Sequence, residues 1–132
     1  AYKVAMLASD LSESLSKEYA SYQLSMPQWR ILATLHENSP HSALTAKDIA
    51  VATRLDKVQV SRALERLVNK DIVHRRVSDS DKRATLVSLS AEGERIYRTL
   101  LPKIVRWQNK RLENITDDEY QIFLKVIDAL KP

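Results

Sequence analysis

A basic helix is the feature of this sequence that most directly predicts chemistry. From Asp56, a suitable N-cap residue, to Lys70, apolar residues recur at helical spacing. The side expected to be buried carries Val60, Leu64, Leu67 and Val68. The opposite side carries Gln59, Arg62 and Arg66. A helix of this kind fits a DNA major groove, where Arg can contact guanine and Gln can contact adenine at two points each.

The distribution of charge along the chain also favours a phosphate-bearing partner. The whole chain has a formal net charge of +4. Between Arg54 and Arg83 there are nine Lys or Arg and five Asp or Glu, which is already an excess of +4. The rest of the chain therefore sums to zero, and the excess marks an electrostatic footprint for nucleic acid. An ordinary solvated helix face is the alternative interpretation.

Composition limits the class of protein. The chain has 132 residues, 44% of them hydrophobic, with one Gly and no Cys. These values predict one compact, helix-rich domain without disulfides, and they fit the cytoplasm. No apolar run is long enough to span a membrane and no signal peptide is visible, so no membrane partner is expected.

The segments before the basic helix predict three further helices. The first is an apolar stripe from Tyr2 to Tyr22. The second follows Leu24, opens with capping-box spacing at Ser25 and Gln28, and ends near Asn38 because Ser39-Pro40 blocks continuation. The third, from Ala46 to Thr53, is capped by Thr45 and leads by a tight turn into the basic helix. This order is the helix-turn-helix plan.

A charged hairpin is predicted after the basic helix. Strand residues begin at Val73, and Thr85, Val87 and Leu89 alternate as a second strand should. The intervening tip, residues 78–83, is too polar to pack against a core. Its Lys82 and Arg83 suit a wing that reaches a minor groove. A plain solvated hairpin is the alternative.

The C-terminal third predicts two more helices with apolar stripes. Ser90 caps the first, whose stripe is Ile96, Leu100, Ile104 and Trp107. Thr116 and Glu119 form a capping box for the second. The fold class is mainly α with a small β-hairpin: a winged helix-turn-helix lobe at 24–89, and a helical dimerisation lobe formed by 1–23 and 90–132.

Three segments resemble the MarR family of bacterial winged-helix transcriptional regulators. Residues 24–32 (LSMPQWRIL) are similar to the family's second helix, and residues 60–67 (VSRALERL) to its recognition helix. Residues 79–83 (DSDKR) with 87–93 (VSLSAEG) resemble its wing and the following helix. The resemblance implies one MarR-type domain over 1–132. It also implies a homodimer on a pseudo-palindromic operator, often released by a small anionic or phenolic ligand.

Two departures from the family pattern concern backbone conformation. Arg54 stands in the turn where the family often has Gly, and Asp71 stands where the recognition helix usually ends in Gly. Asp adopts the left-handed conformation more readily than most residues, so the fold is still expected.

On this reading, residues of the winged-helix lobe divide into four roles on double-stranded DNA. Major-groove contacts are expected from Gln59, Ser61, Arg62 and Arg66. Phosphate contacts are expected from Thr45, Lys57, Arg76 and Lys82. Arg83 is expected in the minor groove. Asp81 is expected to support the wing by orienting Arg83 or by pairing with Arg75.

An effector site is a separate expectation. Tyr19, Trp29 and Arg30 are candidates to line a pocket between the lobes, in which Arg30 would pair with a carboxylate. Core packing is the alternative for both aromatic residues.

Other functions have weaker support in the sequence. A metal-responsive regulator would depend on His36, His41 and His74, but none has ligand spacing with another His, and Cys is absent. No phosphate loop, nucleophile motif or paired acids indicate an enzyme, and no cofactor is expected. A helical interaction module that does not bind DNA is disfavoured by the concentration of positive charge.

Overall fold

The computed structural model describes residues 1–38 and 43–132. Its elements, in order, are α1 (Tyr2–Ala20), α2 (Met26–Glu37), β1 (Leu44–Thr45), α3 (Ala46–Thr53), α4 (Lys57–Asn69), β2 (Val73–Val77), β3 (Thr85–Leu89), α5 (Ala91–Leu112) and α6 (Asp117–Ala129). The predicted helices are all present, and α2 ends close to the predicted position. The predicted block at Ser39-Pro40, and His41, lie outside the described residues.

Side-chain caps define where most of the helices begin. Capping boxes open α2, α3, α4 and α6, at Ser25, Thr45, Asp56 and Thr116. In each, the cap side chain accepts from the backbone N–H three residues later, and that residue's side chain accepts from the cap N–H. The caps predicted at these four positions, and at Ser90 before α5, are confirmed.

The sheet has one strand more than the predicted hairpin. Its order is β1-β3-β2, with β3 antiparallel to both neighbours. Val73 pairs with Leu89 and Arg75 with Val87, while Leu44 of the additional strand also lies opposite Val87. A two-residue strand is too short to show an alternation pattern, so β1 could not be predicted from the sequence.

The core lies beneath α4 and joins it to α2, α3, β3 and α5. Leu67 and Val60 face inward from α4, as predicted, and belong to the same buried core as Ile31, Ile49 and Leu100. The face of α4 that carries cations is thus held outward by burial of its opposite face.

Parts of α1 and all of α6 have little to pack against within the chain. Val4 and Leu7, in the first half of α1, are exposed. In α6 no residue is buried, and Phe123 and Ile127 remain 49% and 40% exposed. The end of α1 differs, because Tyr19 is 1% exposed and belongs to the core.

Backbone hydrogen bonds hold the end of α4, the start of β2 and the start of α5 close together. Asp71 turns the chain with a left-handed φ of 60°. The carbonyl oxygen of Ile72 then accepts from the Ser90 N–H at 3.0 Å. The Ser90 hydroxyl is 2.6 Å from the carbonyl oxygen of Asp71 and accepts from the Gly93 N–H at 3.0 Å. A Cβ at Gly93 would be 2.3 Å from the Ile72 carbonyl oxygen. Gly93 is therefore required by the close approach of two backbones.

Gly93→Ala should destabilise the protein. A methyl group there forces the start of α5 away from Ile72, at about 1–3 kcal/mol, which exceeds the gain in helix propensity of about 1 kcal/mol. Urea denaturation measures the effect. The control is Ala91→Ser, which enlarges an exposed side chain in the same helical turn. A Gly93→Ala protein as stable as the parent would contradict this packing.

Candidate nucleic-acid interface

The outward face of α4 carries two arginines without ionic partners. Ser61, Arg62 and Arg66 are all exposed. Within residues 1–38 and 43–132, neither arginine side chain forms an ion pair or a hydrogen bond. Both line a shallow groove of about 170 Å³ with residues at the start of α2. Their guanidinium groups are free to contact an external acceptor.

Gln59 is partly engaged within its own helix. Its Oε1 accepts from the Asp56 N–H at 3.2 Å, while its own N–H donates to Asp56 Oδ1 at 2.8 Å. A two-point contact with adenine needs both the oxygen and the amine of the Gln side chain. The predicted contact is therefore not pre-formed, because the oxygen serves the capping box.

The turn from α3 to α4 is fixed by backbone conformation and one buried hydroxyl. Arg54 adopts a left-handed φ of 57° in the position where the sequence departs from Gly. Thr53 Oγ1 donates to the Ile49 carbonyl at 2.7 Å and accepts weakly from the Leu55 N–H at 3.4 Å. These contacts set the start of α4, where exposed Lys57 lies. The predicted phosphate ligand Thr45 uses its hydroxyl oxygen to cap α3, accepting at 3.1 Å from Asp48.

The tip of the hairpin is ordered by short-range hydrogen bonds. Asp81 Oδ1 accepts from the backbone N–H of Arg83 at 3.0 Å. The Ser78 hydroxyl oxygen accepts from the N–H groups of Ser80 and Asp81, each at 3.3 Å. Lys82 and Arg83 are thus presented on a shaped loop, with both side chains exposed.

Asp81 contacts the wing through the backbone of Arg83, which agrees with the predicted orienting role. Among the described residues its carboxylate forms no ion pair with Arg75 or Arg83. The ion pair near the tip joins exposed Arg76 and Asp79 at 3.9 Å, and contributes little in water.

Two of the three candidate effector residues pack in the core. Tyr19 and Trp29 stack with centroids 6.3 Å apart, and Trp29 continues the stack to Tyr97 at 5.3 Å. Both are buried, whereas Arg30 is exposed. These positions agree with core packing of both aromatic residues, and the effector role stays a prediction.

This stack extends to His36 through residues that the sequence did not single out. His36 lies 4.1 Å from the Tyr97 ring, and its Nδ1 is 3.2 Å from Glu94 Oε1. Burial raises the pKa of Tyr19, partly offset by Arg30. Burial, followed by the nearby carboxylates of Glu37 and Glu94, raises the pKa of Tyr97. Both phenols stay neutral, and His36 has a structural role.

A largely apolar cleft lies between α3, α4 and the sheet. Its volume is about 590 Å³, and Ala50, Val60, Leu64 and Val87 supply apolar surface. Lys47, Lys57 and Arg75 also line it. This cleft could not be predicted from the sequence, because its walls come from four separate elements.

The described residues contain neither a metal-binding cluster nor a membrane-spanning helix. No group of three or more His, Cys, Asp or Glu there could hold a metal ion. His74 is exposed on β2, and His41 lies outside the described part of the chain. No helix in that same part is both long and apolar enough to cross a membrane.

Taken together, the helix pair, the outward basic helix and the ordered cationic hairpin define a winged helix-turn-helix protein. Residues 22–84 match the model of the MarR family. Over that segment the chain is similar to the MarR family of DNA-binding transcriptional regulators, whose members are not enzymes.

Two curated relatives come from Bacillus subtilis strain 168. The uncharacterized regulator YfiV is 29% identical over 113 residues, which is 86% of this chain and 69% of that protein. The transcriptional repressor YetL is 24% identical over 124 residues, which is 94% of this chain and 74% of that protein.

Solved structures extend the similarity over nearly the whole fold. A MarR-family regulator from Silicibacter pomeroyi is 26% identical with a TM-score of 0.79, covering 98% of this chain and 85% of that one. The C80S mutant of MarR from E. coli, crystallised with operator DNA, has a TM-score of 0.87 at 21% identity, covering 99% and 92%. At that identity the second likeness shows the fold alone.

Proposed function

We propose that this protein is a homodimeric repressor that binds a pseudo-palindromic operator in the cytoplasm and is released by a small aromatic or anionic ligand. The observation that carries the proposal is the pair of arginines without ionic partners on α4, beside an ordered cationic hairpin. The relative named as a repressor and the mutant MarR crystallised with operator DNA support the same class of function.

Residues 24–89 form the proposed DNA-binding lobe. Arg62, Arg66 and Ser61 contact bases in the major groove, with Gln59 using mainly its amine because its oxygen caps α4. Lys57, Arg76, Lys82 and the start of α3 at Thr45 contact phosphates. Arg83 enters the minor groove from the loop that Asp81 orders.

Residues 1–23 and 90–132 form the proposed dimerisation lobe. The exposed apolar side chains of α6 and of the first half of α1 support this assignment. Phe123, Ile127 and Leu7 lie outside the core, and a second copy would remove them from water. A dimer also matches the two half-sites of a pseudo-palindrome.

The cleft between α3, α4 and the sheet is the proposed effector site. Its apolar surface suits an aromatic ring, and Arg75 with Lys47 and Lys57 suits a carboxylate or phenolate. A ligand there would pack against Val60 and Leu64 on the buried side of α4. Occupancy would therefore shift the helix that reads DNA.

Arg62→Ala should weaken binding to the selected operator by about 1–3 kcal/mol and relax the preference at one base of each half-site. The reason is loss of a two-point contact with guanine. Selection from a random DNA pool, followed by binding titrations, measures both effects. Lys125→Ala, an exposed cation on α6, is the charge-matched control. Unchanged affinity and base preference in Arg62→Ala would show that α4 is misplaced.

Arg83→Ala should have a different effect on DNA binding. A minor-groove arginine responds to groove width, so the preference for A·T-rich flanks should fade while folding is unchanged. The slope of log affinity against log salt should flatten by about one unit. Operators with A·T-rich and G·C-rich flanks, titrated at several salt concentrations, provide the measurement. If slope and flank preference both persist, the hairpin does not contact DNA.

Removal of residues 117–132 should abolish the dimer and tight operator binding, because it removes the exposed apolar face of α6. Sedimentation equilibrium measures the association. Ile127→Glu offers a milder version of the same change, and Lys125→Ala is its control on the same helix. A truncated protein that remained folded and dimeric would refute this role of α6.

A further inference from the structure

A second cleft lies between α1 and α5 and is strongly cationic. Its volume is about 560 Å³, which falls within the usual range for small-molecule sites of about 300–1,000 Å³. Glu18 is the acidic residue among those that line it. Five lining residues are cationic: Lys17, Lys103, Arg106, Lys110 and Arg111.

The floor of this cleft is held rigidly by contacts between the two helices. Trp107 Nε1 donates to Ser14 Oγ at 2.9 Å. The Arg111 guanidinium lies 4.3 Å from the centre of the Trp107 ring and donates to the Trp107 carbonyl at 3.3 Å and to Ser14 Oγ. These contacts fix one wall before any ligand arrives, which lowers the entropic cost of binding.

Most of the cations in the cleft have no counter-ion. In the described residues, Lys17, Arg106 and Lys110 form neither an ion pair nor a side-chain hydrogen bond, and Lys103 Nζ lies 5.0 Å from the Tyr22 ring centre. Lys103, Arg106 and Lys110 follow one another on successive turns of α5, about 5–6 Å apart. Their mutual repulsion favours an anion with several charges over one with a single charge.

On α5, the exposed apolar residues and the cations of the cleft lie on different sides of the helix. Leu101 and Val105, the exposed apolar residues in the middle of α5, are four residues apart and share one side of the helix. With 3.6 residues per turn, Arg106 and Lys110 fall on a different side. The cleft also contains no residue of α3, α4 or the hairpin, and so is separate from the proposed DNA surface.

We propose that this cleft binds a small polyanion carrying two or more phosphate or carboxylate groups. Arg106 and Lys110 would hold one anionic group, and Lys103 with Lys17 a second one across the cleft. The rigid Trp107–Arg111 wall would orient it. Phosphate and carboxylate share the chemistry that Arg and Lys recognise, so the choice between them is left to the test.

Calorimetric titration of the full chain with pyrophosphate, tripolyphosphate and citrate, at constant ionic strength, tests the proposal. Tighter binding of the phosphates than of citrate identifies a phosphate site, and the reverse order a carboxylate site. Replacing both Arg106 and Lys110 by Gln should weaken the preferred anion at least tenfold, because two charge-assisted hydrogen bonds are lost. The matched control is Arg30→Gln with Arg54→Gln, two exposed cations outside both the cleft and the proposed dimerisation lobe.

Several results would overturn the proposal. One is that the parent protein binds none of the three anions; another is that the cleft variant binds as tightly as the control. A loss of operator affinity equal to the loss of anion affinity would assign the cleft to DNA. A change in the dimerisation constant of the cleft variant, but not of the control, would assign it to the partner subunit. The last two outcomes leave the proposed function standing, so failure of this inference is distinguishable from failure of that one.

Discussion

The orientation of the DNA-contacting elements depends on one backbone carbonyl, that of Ile72. It follows the left-handed turn at Asp71 that ends α4, and it accepts from the Ser90 N–H at 3.0 Å where β3 gives way to α5. The absence of a side chain at Gly93 allows α5 to start against it. The recognition helix, the root of the wing and the long helix of the other lobe therefore meet at a single point. Displacement of any one of them displaces the others, because interiors at this density transmit strain.

Features determined by neighbouring residues could be predicted from the sequence. A capping box needs two side chains three residues apart, and the boxes at Ser25 and Thr116 were predicted as such, while Thr45 and Asp56 were predicted only as caps. The buried side of α4 followed from helical spacing, since one helix has only one inward face. The strand β1 was not predicted because it is defined by its pairing with β3, in which Leu44 lies opposite Val87, 43 residues further along the chain. The oxygen of Gln59 was assigned to DNA although the same capping rule assigns it to Asp56.

Other features could not be predicted because they belong to the folded chain. Periodicity shows that Tyr19 and Trp29 face inward, but their partners Tyr97 and His36 come from helices far apart in the sequence. The net charge of the residues outside 54–83 is zero, so it did not indicate the cationic cleft between α1 and α5. Residues 103–111 contain four cations and no acid, and residues 113–119 contain four acids and no cation. Their sum is zero, yet only the cations line the cleft.

The extent of the core separates the proposed DNA-binding lobe from the proposed dimerisation lobe. The core is closed around α2, α3, α4 and the sheet, with α1 contributing Tyr19 and α5 contributing Leu100. The proposed DNA-binding lobe is therefore packed within one chain, and no residue of α6 is buried in its core. In the proposed dimer, pairing of α6 would set the distance between the two DNA-binding lobes and would leave the stability of each lobe unchanged. The second half-site then binds at an effective concentration set by that distance, so affinity for the operator multiplies only when the spacing matches.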